Sequence, residues 1–278
     1  MRIGVMFDRD LAPEQLIPYA RALDAMPRVD DLWVVEDLGW TGGLTSAATA
    51  LAVTGRLRVG LGIAPAPLRN PALLAMELGN LARLHPGRLV AGIGHGVQDW
   101  MRQVGAAARS PLGLLEETIV AVGALLRGER VTLDGREVHL SDVALVHPPA
   151  AVPPIMAGVL GPRSLAASGR LAQGTIVPEG YGPALLAQAL KHIAPAPDHE
   201  IVVLTNLMIG TLPDAIVQGT AGFLKIDPSE VFSVSGTAEQ AAARLAELDR
   251  AGAHTVVLRP ADHDDPLRHV SELLAALS

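Results

Sequence analysis

Short apolar runs alternate with longer amphipathic runs along almost the whole chain, and this alternation limits the folds open to it. Eight apolar runs predict strands over residues 2–7, 31–36, 58–63, 88–93, 154–157, 174–177, 201–209 and 254–258. Segments with helical periodicity lie between most of them, among them 13–26, 45–54, 114–126 and 265–277. Strands that alternate with helices form parallel sheets, and near-continuous apolar strands are buried on both faces. The pattern predicts an α/β fold, a single (β/α)8 TIM barrel over residues 1–278; the alternative is an open, doubly wound sheet split into two domains.

Helix boundaries are marked by residues with specific backbone preferences. Asn70 and Pro71 are suited to the N-cap and first position of a helix. Thr237 and Gln240 have the spacing of a capping box, and Gly252 is suited to the C′ position of the helix that follows them.

Residues 131–140 interrupt the alternation. The pair Asp134-Gly135 stands between two short alternating runs, which is typical of a tight hairpin turn. We expect a small β-hairpin insertion after the fourth predicted helix, 114–126.

Composition excludes several classes of function. The chain has a formal net charge of -7 and no basic tract, which argues against nucleic-acid binding. It has no cysteine, so disulfides and thiolate chemistry are excluded. Its nine histidines lack metal-ligand spacing, so no metal is expected, and the polar cluster at 262–265 is interpreted as an N-cap. No apolar run approaches the roughly 18 residues of a membrane span, and Met1–Val5 starts a strand, so we expect a cytoplasmic protein that binds neither membrane nor nucleic acid.

Active sites of (β/α)8 barrels lie at the carboxyl ends of the strands. The residues that follow the predicted strands are therefore the candidates: Glu36 and Asp37; 64–67; Gly94, His95 and Gly96; 158–161; Glu179; and Arg259. A histidine between two glycines can relay a proton near neutral pH, although a structural hydrogen bond to a neighbouring loop is the alternative. The turn at 158–164 runs into a helix whose N-terminus favours phosphate.

Several of these segments are similar, in order and spacing, to the luciferase-like monooxygenase superfamily. They are 32–37, 58–63 with 69–71, 86–96, 158–163 and 172–176, and the match runs from residue 1 to about residue 260. The resemblance implies a flavin-type cofactor, either FMN or the deazaflavin coenzyme F420. We favour F420, because methylenetetrahydromethanopterin reductase-like members resemble the chain most. It also implies a homodimer that acts on a small-molecule substrate.

The resemblance implies a role for each strand end. A cis peptide bond that supports the ring is expected at Ala64–Pro65 or Ile63–Ala64. The family's Asp-His pair is replaced by Glu36 and Asp37, which leaves the proton donor open. The resemblance implies catalytic roles for Glu36, Asp37 and His95. It implies cofactor contacts for Ile63, Ala64, Pro65, Gly94, His95, Gly96, Gly158, Val159, Gly161 and Gly174.

Three functions remain open at this point. The first is a flavin- or deazaflavin-dependent oxidoreductase, with hydride transfer for F420 or monooxygenation for FMN. The second is a catalytically degenerate, flavin-binding paralogue with an assembly or regulatory role, motivated by the replaced Asp-His pair. The third, an unrelated aldolase or isomerase, is disfavoured because no lysine lies at a strand end. Replacement of Gly96 by valine is expected to block cofactor access.

Overall fold

A computed structural model describes residues 1–277 of the chain. Its strands are β1 (Arg2–Met6), β2 (Asp31–Val34), β3 (Arg58–Leu61), β4 (Ala64–Pro65), β5 (Leu89–Gly94), β6 (Val131–Asp134), β7 (His139–Val143), β8 (Ile155–Gly158), β9 (Gly174–Val177), β10 (Glu200–Ile209), β11 (Val234–Gly236) and β12 (Thr255–Pro260). Its helices are α1 (Leu16–Asp24), α2 (Gly43–Val53), α3 (Pro71–Leu84), α4 (Gln98–Gln103), α5 (Pro111–Leu126), α6 (Pro162–Leu171), α7 (Pro183–Ile193), α8 (Asp214–Leu224), α9 (Ala238–Arg250) and α10 (Pro266–Ala276). Short 3-10 turns cover Pro13–Gln15, Ala66–Leu68 and Pro228–Glu230.

Within these residues, eight strands close into a parallel barrel. Around the ring the order is β1, β2, β3, β5, β8, β9, β10 and β12, and β12 pairs with β1 to complete it. The short strands β4 and β11 attach to the mouth ends of β5 and β10. Strands β6 and β7 form a separate antiparallel hairpin. The closed barrel and the hairpin insertion are confirmed, and the two-domain sheet is wrong.

Two cores stabilise the barrel. The larger one lies between the sheet and the surrounding helices. The smaller one fills the interior, with Met6, Trp33, Val90, Met156, Ile176, Val202, Leu204 and Val257. Trp33 is fully buried there, and it fits because a Cβ at Gly60 would collide with its ring and one at Gly4 would lie 3.0 Å from it.

Charged residues close the amino end of the barrel. Asp31, Arg58, Glu200 and Thr255 are the first residues of β2, β3, β10 and β12. Arg58 Nη2 lies 2.6 Å from Asp31 Oδ2 and 3.1 Å from Glu200 Oε1, and the Thr255 hydroxyl donates to Glu200 at 2.6 Å. This network leaves the opposite, carboxyl end of the strands as the open mouth.

Some predicted boundaries need correction. The first predicted helix is a 3-10 turn followed by α1, and β5 includes Gly94 while β12 includes Arg259. Helices α4, α7 and α8 had no sequence prediction. In the described part of the chain, no helix is long and apolar enough to cross a membrane.

Candidate functional site

A cavity of about 1100 Å³ opens at the mouth of the barrel. Its wall combines strand ends, the first residues of α6 and one face of α8. Of the residues expected from the sequence, it includes Glu36, Asp37, Ile63, Pro65, His95, Gly96, Gly158, Val159 and Gly161. The volume is at the upper end of the range for small-molecule and cofactor pockets, roughly 300–1,000 Å³.

One side of the cavity is formed by glycine-containing backbone of β5 and β8 and by the turn after β3. The peptide bond Gly62–Ile63 in this turn is cis. Ile63 occupies space that the neighbouring strands leave free, because a Cβ on Gly94 would lie 3.0 Å from its Cγ1, and one on Gly158 would collide with its Cγ2. Ile63 therefore forms a firm apolar surface on this side of the mouth.

The expected position of the cis bond was wrong by one or two residues. Neither Ala64–Pro65 nor Ile63–Ala64 is cis in the described chain; the bond before Ile63 is. Proline is the sequence signal for a cis bond. The prediction was therefore placed at or next to the bond that precedes Pro65. Ala64 and Gly94 are buried in β4 and β5, and neither lines the cavity.

His95 is held by two hydrogen bonds. Its Nδ1 lies 3.2 Å from the carbonyl oxygen of Pro111, and its Nε2 lies 3.0 Å from Ser164 Oγ. A carbonyl only accepts, so Nδ1 carries the proton, and in the neutral ring Nε2 accepts from the Ser164 hydroxyl. Burial lowers the pKa of His95 below its ordinary value of 6.5, and the bond to Pro111 offsets this in part. His95 thus orients Ser164.

Helix α6 directs its N-terminus at the same cavity. Gly161 is the N-cap in extended conformation, and no side chain of the described residues caps this end. Pro162 has no N–H, so the amides of Arg163 and Ser164 are the first donors of the helix. Gly161, Arg163 and Ser164 all line the cavity. Uncapped amides, a guanidinium and the helix dipole together favour an anionic group.

Comparisons with known proteins show the family of the chain. Residues 12–200 match the sequence model of the family described as Luciferase-like monooxygenase. The chain belongs to this family. A 5,10-methylenetetrahydromethanopterin reductase of Methanolobus tindarius is 29% identical over 70% of the chain, and an F420-dependent glucose-6-phosphate dehydrogenase of Beutenbergia cavernae is 30% identical over 68%. The matched regions span only 59% and 60% of those two relatives.

Solved structures of the luciferase-like family share the fold of the whole chain. An F420-dependent secondary alcohol dehydrogenase in complex with an F420-acetone adduct superposes with a TM-score of 0.85 at 17% identity, covering 100% of this chain and 99% of that one. The coenzyme F420-dependent tetrahydromethanopterin reductase of Methanopyrus kandleri gives a TM-score of 0.81 at 16% identity, covering 100% and 99%. At these identities the likeness concerns the fold.

The two carboxylates expected in the site after β2, Glu36 and Asp37, are both bound to arginines. Arg69 Nη1 donates to Glu36 Oε1 at 2.5 Å, and Arg9 Nη1 donates to Asp37 Oδ2 at 2.6 Å. The other oxygen of Glu36, Oε2, is buried and has no partner among residues 1–277. Arg9 also lies 4.4 Å from the centre of the Trp40 ring. Each ion pair therefore engages one oxygen of the carboxylate, and within the described residues Glu36 keeps one unpaired oxygen.

Gly174 lies away from the site. It is the first residue of β9, at the amino end of the barrel, where a Cβ would collide with Met156 and lie 2.5 Å from Glu200 O. Its assignment to the cofactor came from the family resemblance, although the predicted strand 174–177 already placed it at the amino end.

Polar residues form the opposite side of the cavity. Glu179 and Arg259 were candidates from the sequence, whereas Asp8 and Asn206 were not. Asp8 accepts from Arg259 Nε, and Arg259 Nη1 donates to Glu179 Oε1 at 3.3 Å. Burial raises the pKa of Asp8, but the hydrogen bond and charge of Arg259 outweigh it, so the pKa lies below 3.8. Asn206, at the mouth end of β10, completes this side. Period-2 alternation along β10 and β12 was the available signal for Asn206 and Arg259.

The acidic residues near the mouth act as hydrogen-bond partners. Asp8, Asp10 and His263 come close enough to be considered as ligands of a metal ion. However, Asp8 Oδ1 accepts from the backbone amide of Asp10, and its Oδ2 accepts from Arg259.

The expected N-cap at 262–265 needs correction: Asp265 is the N-cap of α10 without a side-chain bond, whereas Asp262 pairs with His269.

Proposed function

We propose that the protein is an F420-dependent oxidoreductase that holds the deazaflavin ring against Ile63 and its phosphate at the N-terminus of α6. The single observation that carries this proposal is the position of these two features in the same cavity: an apolar surface backed by glycines, and an uncapped helix end with Arg163. A deazaflavin supplies hydride transfer at its ring when bound, whereas a reduced flavin supplies oxygen activation.

The residues present fit such a cofactor. Ile63 and Val159 offer apolar contact for a flat ring, and both line the cavity. Arg163 and Ser164 offer amides to a phosphate, and Arg163 adds a positive charge. His95 contributes by holding the Ser164 hydroxyl in one orientation. A sequence relative that is named as an F420-dependent glucose-6-phosphate dehydrogenase supports F420 over FMN.

The experiment is an equilibrium titration of the purified protein with F420, with FMN and with riboflavin, followed by the change in cofactor fluorescence. We expect saturable binding of F420 and weaker binding of FMN. Riboflavin has the ring of FMN without its phosphate, so it is expected to bind at least about tenfold more weakly than FMN, because a charged hydrogen bond contributes roughly 1.5–3 kcal/mol.

Absence of binding by both F420 and FMN at high micromolar concentration would contradict the proposal. Tighter binding of FMN than of F420 would mean that the cofactor is a flavin, which favours monooxygenation over hydride transfer. Equal binding of FMN and riboflavin would mean that the phosphate is not bound at the N-terminus of α6. The homodimer and the cytoplasmic location remain predictions.

A further inference from the structure

Asn206 is buried at the mouth with an unused hydrogen-bond donor. Its side chain is only 2% exposed, and its Nδ2 has no partner in the part of the chain that the structure describes. Along β10, Val202 and Leu204 point into the barrel, so Asn206 points the same way, and it lines the cavity. Buried donors without an acceptor are rare and destabilising, so this amide indicates a group that the cavity receives.

Arg259 lies beside this amide. Strands β10 and β12 are parallel neighbours, and Asn206 is the register partner of Arg259. Since register partners share a face of the sheet, both side chains meet the cavity together. Asp8 and Glu179 fix the guanidinium through its Nε and Nη1. The amide and the guanidinium thus form a donor pair in a defined position.

The charges around this pair determine which acceptor it suits. Arg259 contributes one positive charge, and Asp8 and Glu179 are two carboxylates in contact with it. A ligand carboxylate or phosphate would bring a third negative charge to this cluster. A neutral carbonyl or hydroxyl oxygen accepts from Asn206 without that repulsion, because like charges in a buried site are costly.

Most of the residues that helix α8 adds to this side of the cavity are apolar. Helix α8 presents Ile216 and Phe223 to the cavity. Phe223 is 56% exposed although it is a large hydrophobic residue. An apolar substituent next to the oxygen acceptor would cover these side chains.

We infer that Asn206, positioned beside Arg259, binds the neutral oxygen of a largely apolar ketone, aldehyde or alcohol substrate. This inference rests on the proposed function, and it adds a substrate class and a specificity-determining residue to it. Asn206 acts by hydrogen bonding, whereas the cofactor lies on the glycine-backed side with Ile63.

The test uses three probes of similar shape: cyclohexanone, cyclohexanecarboxylate and cyclohexylammonium. Their dissociation constants are measured by ligand-observed NMR on the protein saturated with oxidised F420, which leaves the ketone unchanged. We expect cyclohexanone to bind more tightly than either charged probe. In Asn206→Leu, cyclohexanone should bind about three- to tenfold more weakly, as loss of one hydrogen bond predicts.

Thr205→Val is the matched control. Thr205 is the preceding residue of β10, it is fully buried, and its hydroxyl also lacks a partner in residues 1–277. It points to the helix-facing side with Val203 and Leu207, so ketone binding should not change. A second readout is chemical unfolding: Asn206→Leu removes a buried unsatisfied amide and should unfold at the same or a higher denaturant concentration.

Unchanged ketone binding in Asn206→Leu, tighter binding of the carboxylate, or no ketone binding to the wild type would overturn the inference. Should Asn206→Leu fail to fold, Asn206→Ala removes the same donors without added volume or charge and should lose ketone binding equally. Failure of the cofactor titration alone would count against the proposed function, and the same probes on the protein without cofactor would then decide the role of Asn206.

Discussion

Ile63 occupies the space that Gly158 leaves free: a Cβ on Gly158 would collide with Cγ2 of the isoleucine. Gly158→Ala should therefore displace the turn after β3 and weaken F420 binding. Overpacking of this kind costs about 1–3 kcal/mol of unfolding free energy. Cofactor titration and urea unfolding on the same protein preparation measure the two effects.

The control for this variant is Gly174→Ala, which overpacks the opposite end of the barrel against Met156. It should lose a similar amount of stability while the folded protein keeps its affinity for F420. Loss of affinity in both variants, or in neither, would contradict the assignment of Ile63 to the cofactor surface.

Gly96 tests the loop that follows β5. It has a φ of +67°, and a Cβ there would lie 3.0 Å from Pro65 Cβ and 3.1 Å from Met101 Sδ. An added side chain would thus press on the cavity wall. From the sequence we expected it instead to block access of the cofactor ring. Gly96→Ala should weaken F420 binding and destabilise the fold by more than the roughly 1–2 kcal/mol that a left-handed alanine costs.

Gly105 provides the comparison, since its φ is +69° and no described atom lies within 4 Å of its Cβ position. Gly105→Ala should show only the cost of the backbone conformation, with normal affinity. If the two variants behaved alike in both assays, the contact with Pro65 and Met101 would have no part in binding.

The N-terminus of α6 can be tested by reversing the charge of Arg163. An acidic residue in the first turn stabilises a helix by about 0.3–1 kcal/mol, but at this position it would repel a phosphate. Arg163→Asp should bind F420 and FMN at least about tenfold more weakly, because a charged hydrogen bond contributes roughly 1.5–3 kcal/mol. Thermal unfolding should show no loss of stability.

Helix α7 begins with the same arrangement as α6, a glycine N-cap followed by proline. Ala184 stands where Arg163 stands in α6, and it does not line the cavity in the described structure. Ala184→Asp should give the same gain in stability without a change in affinity. A loss of affinity in Ala184→Asp about half as large in free energy as that in Arg163→Asp would mean that net charge, not position, controls binding, because the two substitutions change the charge by -1 and -2.

His95 should make stability depend on pH. Burial holds its pKa below 6.5, so below that pH the unfolded chain binds more protons than the native protein. Its contribution to stability is fully present above pH 6.5 and is lost as the pH falls through the native pKa. In His95→Gln, the fall in unfolding free energy between about pH 7.5 and 5.5 should be shallower, as measured by urea unfolding across that range.

His199 serves as the control, because burial also lowers its pKa and it bonds to Thr175, away from the mouth. His199→Gln should likewise reduce the slope, but F420 affinity should fall only in His95→Gln, where Ser164 loses its partner. An unchanged slope in His95→Gln would contradict the neutral, buried ring.

Local signals in the sequence were sufficient to predict features that depend on residues close together in the chain, such as helix caps. Asn70 caps α3 through the amide of Ala72, and Thr237 and Gln240 form the complete capping box of α9. Strand β9 has the predicted bounds, 174–177. The apolar alternation was enough to predict the barrel because its strands are buried on both sides.

What the sequence missed depends on contacts between distant segments. Helix α8 contains Gly219 and Gly222, whose low helix propensity weakens its signal in the sequence. A cis bond without proline, such as Gly62–Ile63, has no sequence signature. The roles of Asn206 and Arg259 depend on the register between β10 and β12, which closure of the barrel determines.

The most direct test of this account is a crystal structure of the protein with bound F420, in which the positions of the phosphate and of the ring are measured. The account predicts the phosphate within hydrogen-bonding distance of the Arg163 and Ser164 amides and the ring in contact with Ile63. A phosphate bound elsewhere, or a ring lying against Asn206 and Arg259, would contradict it.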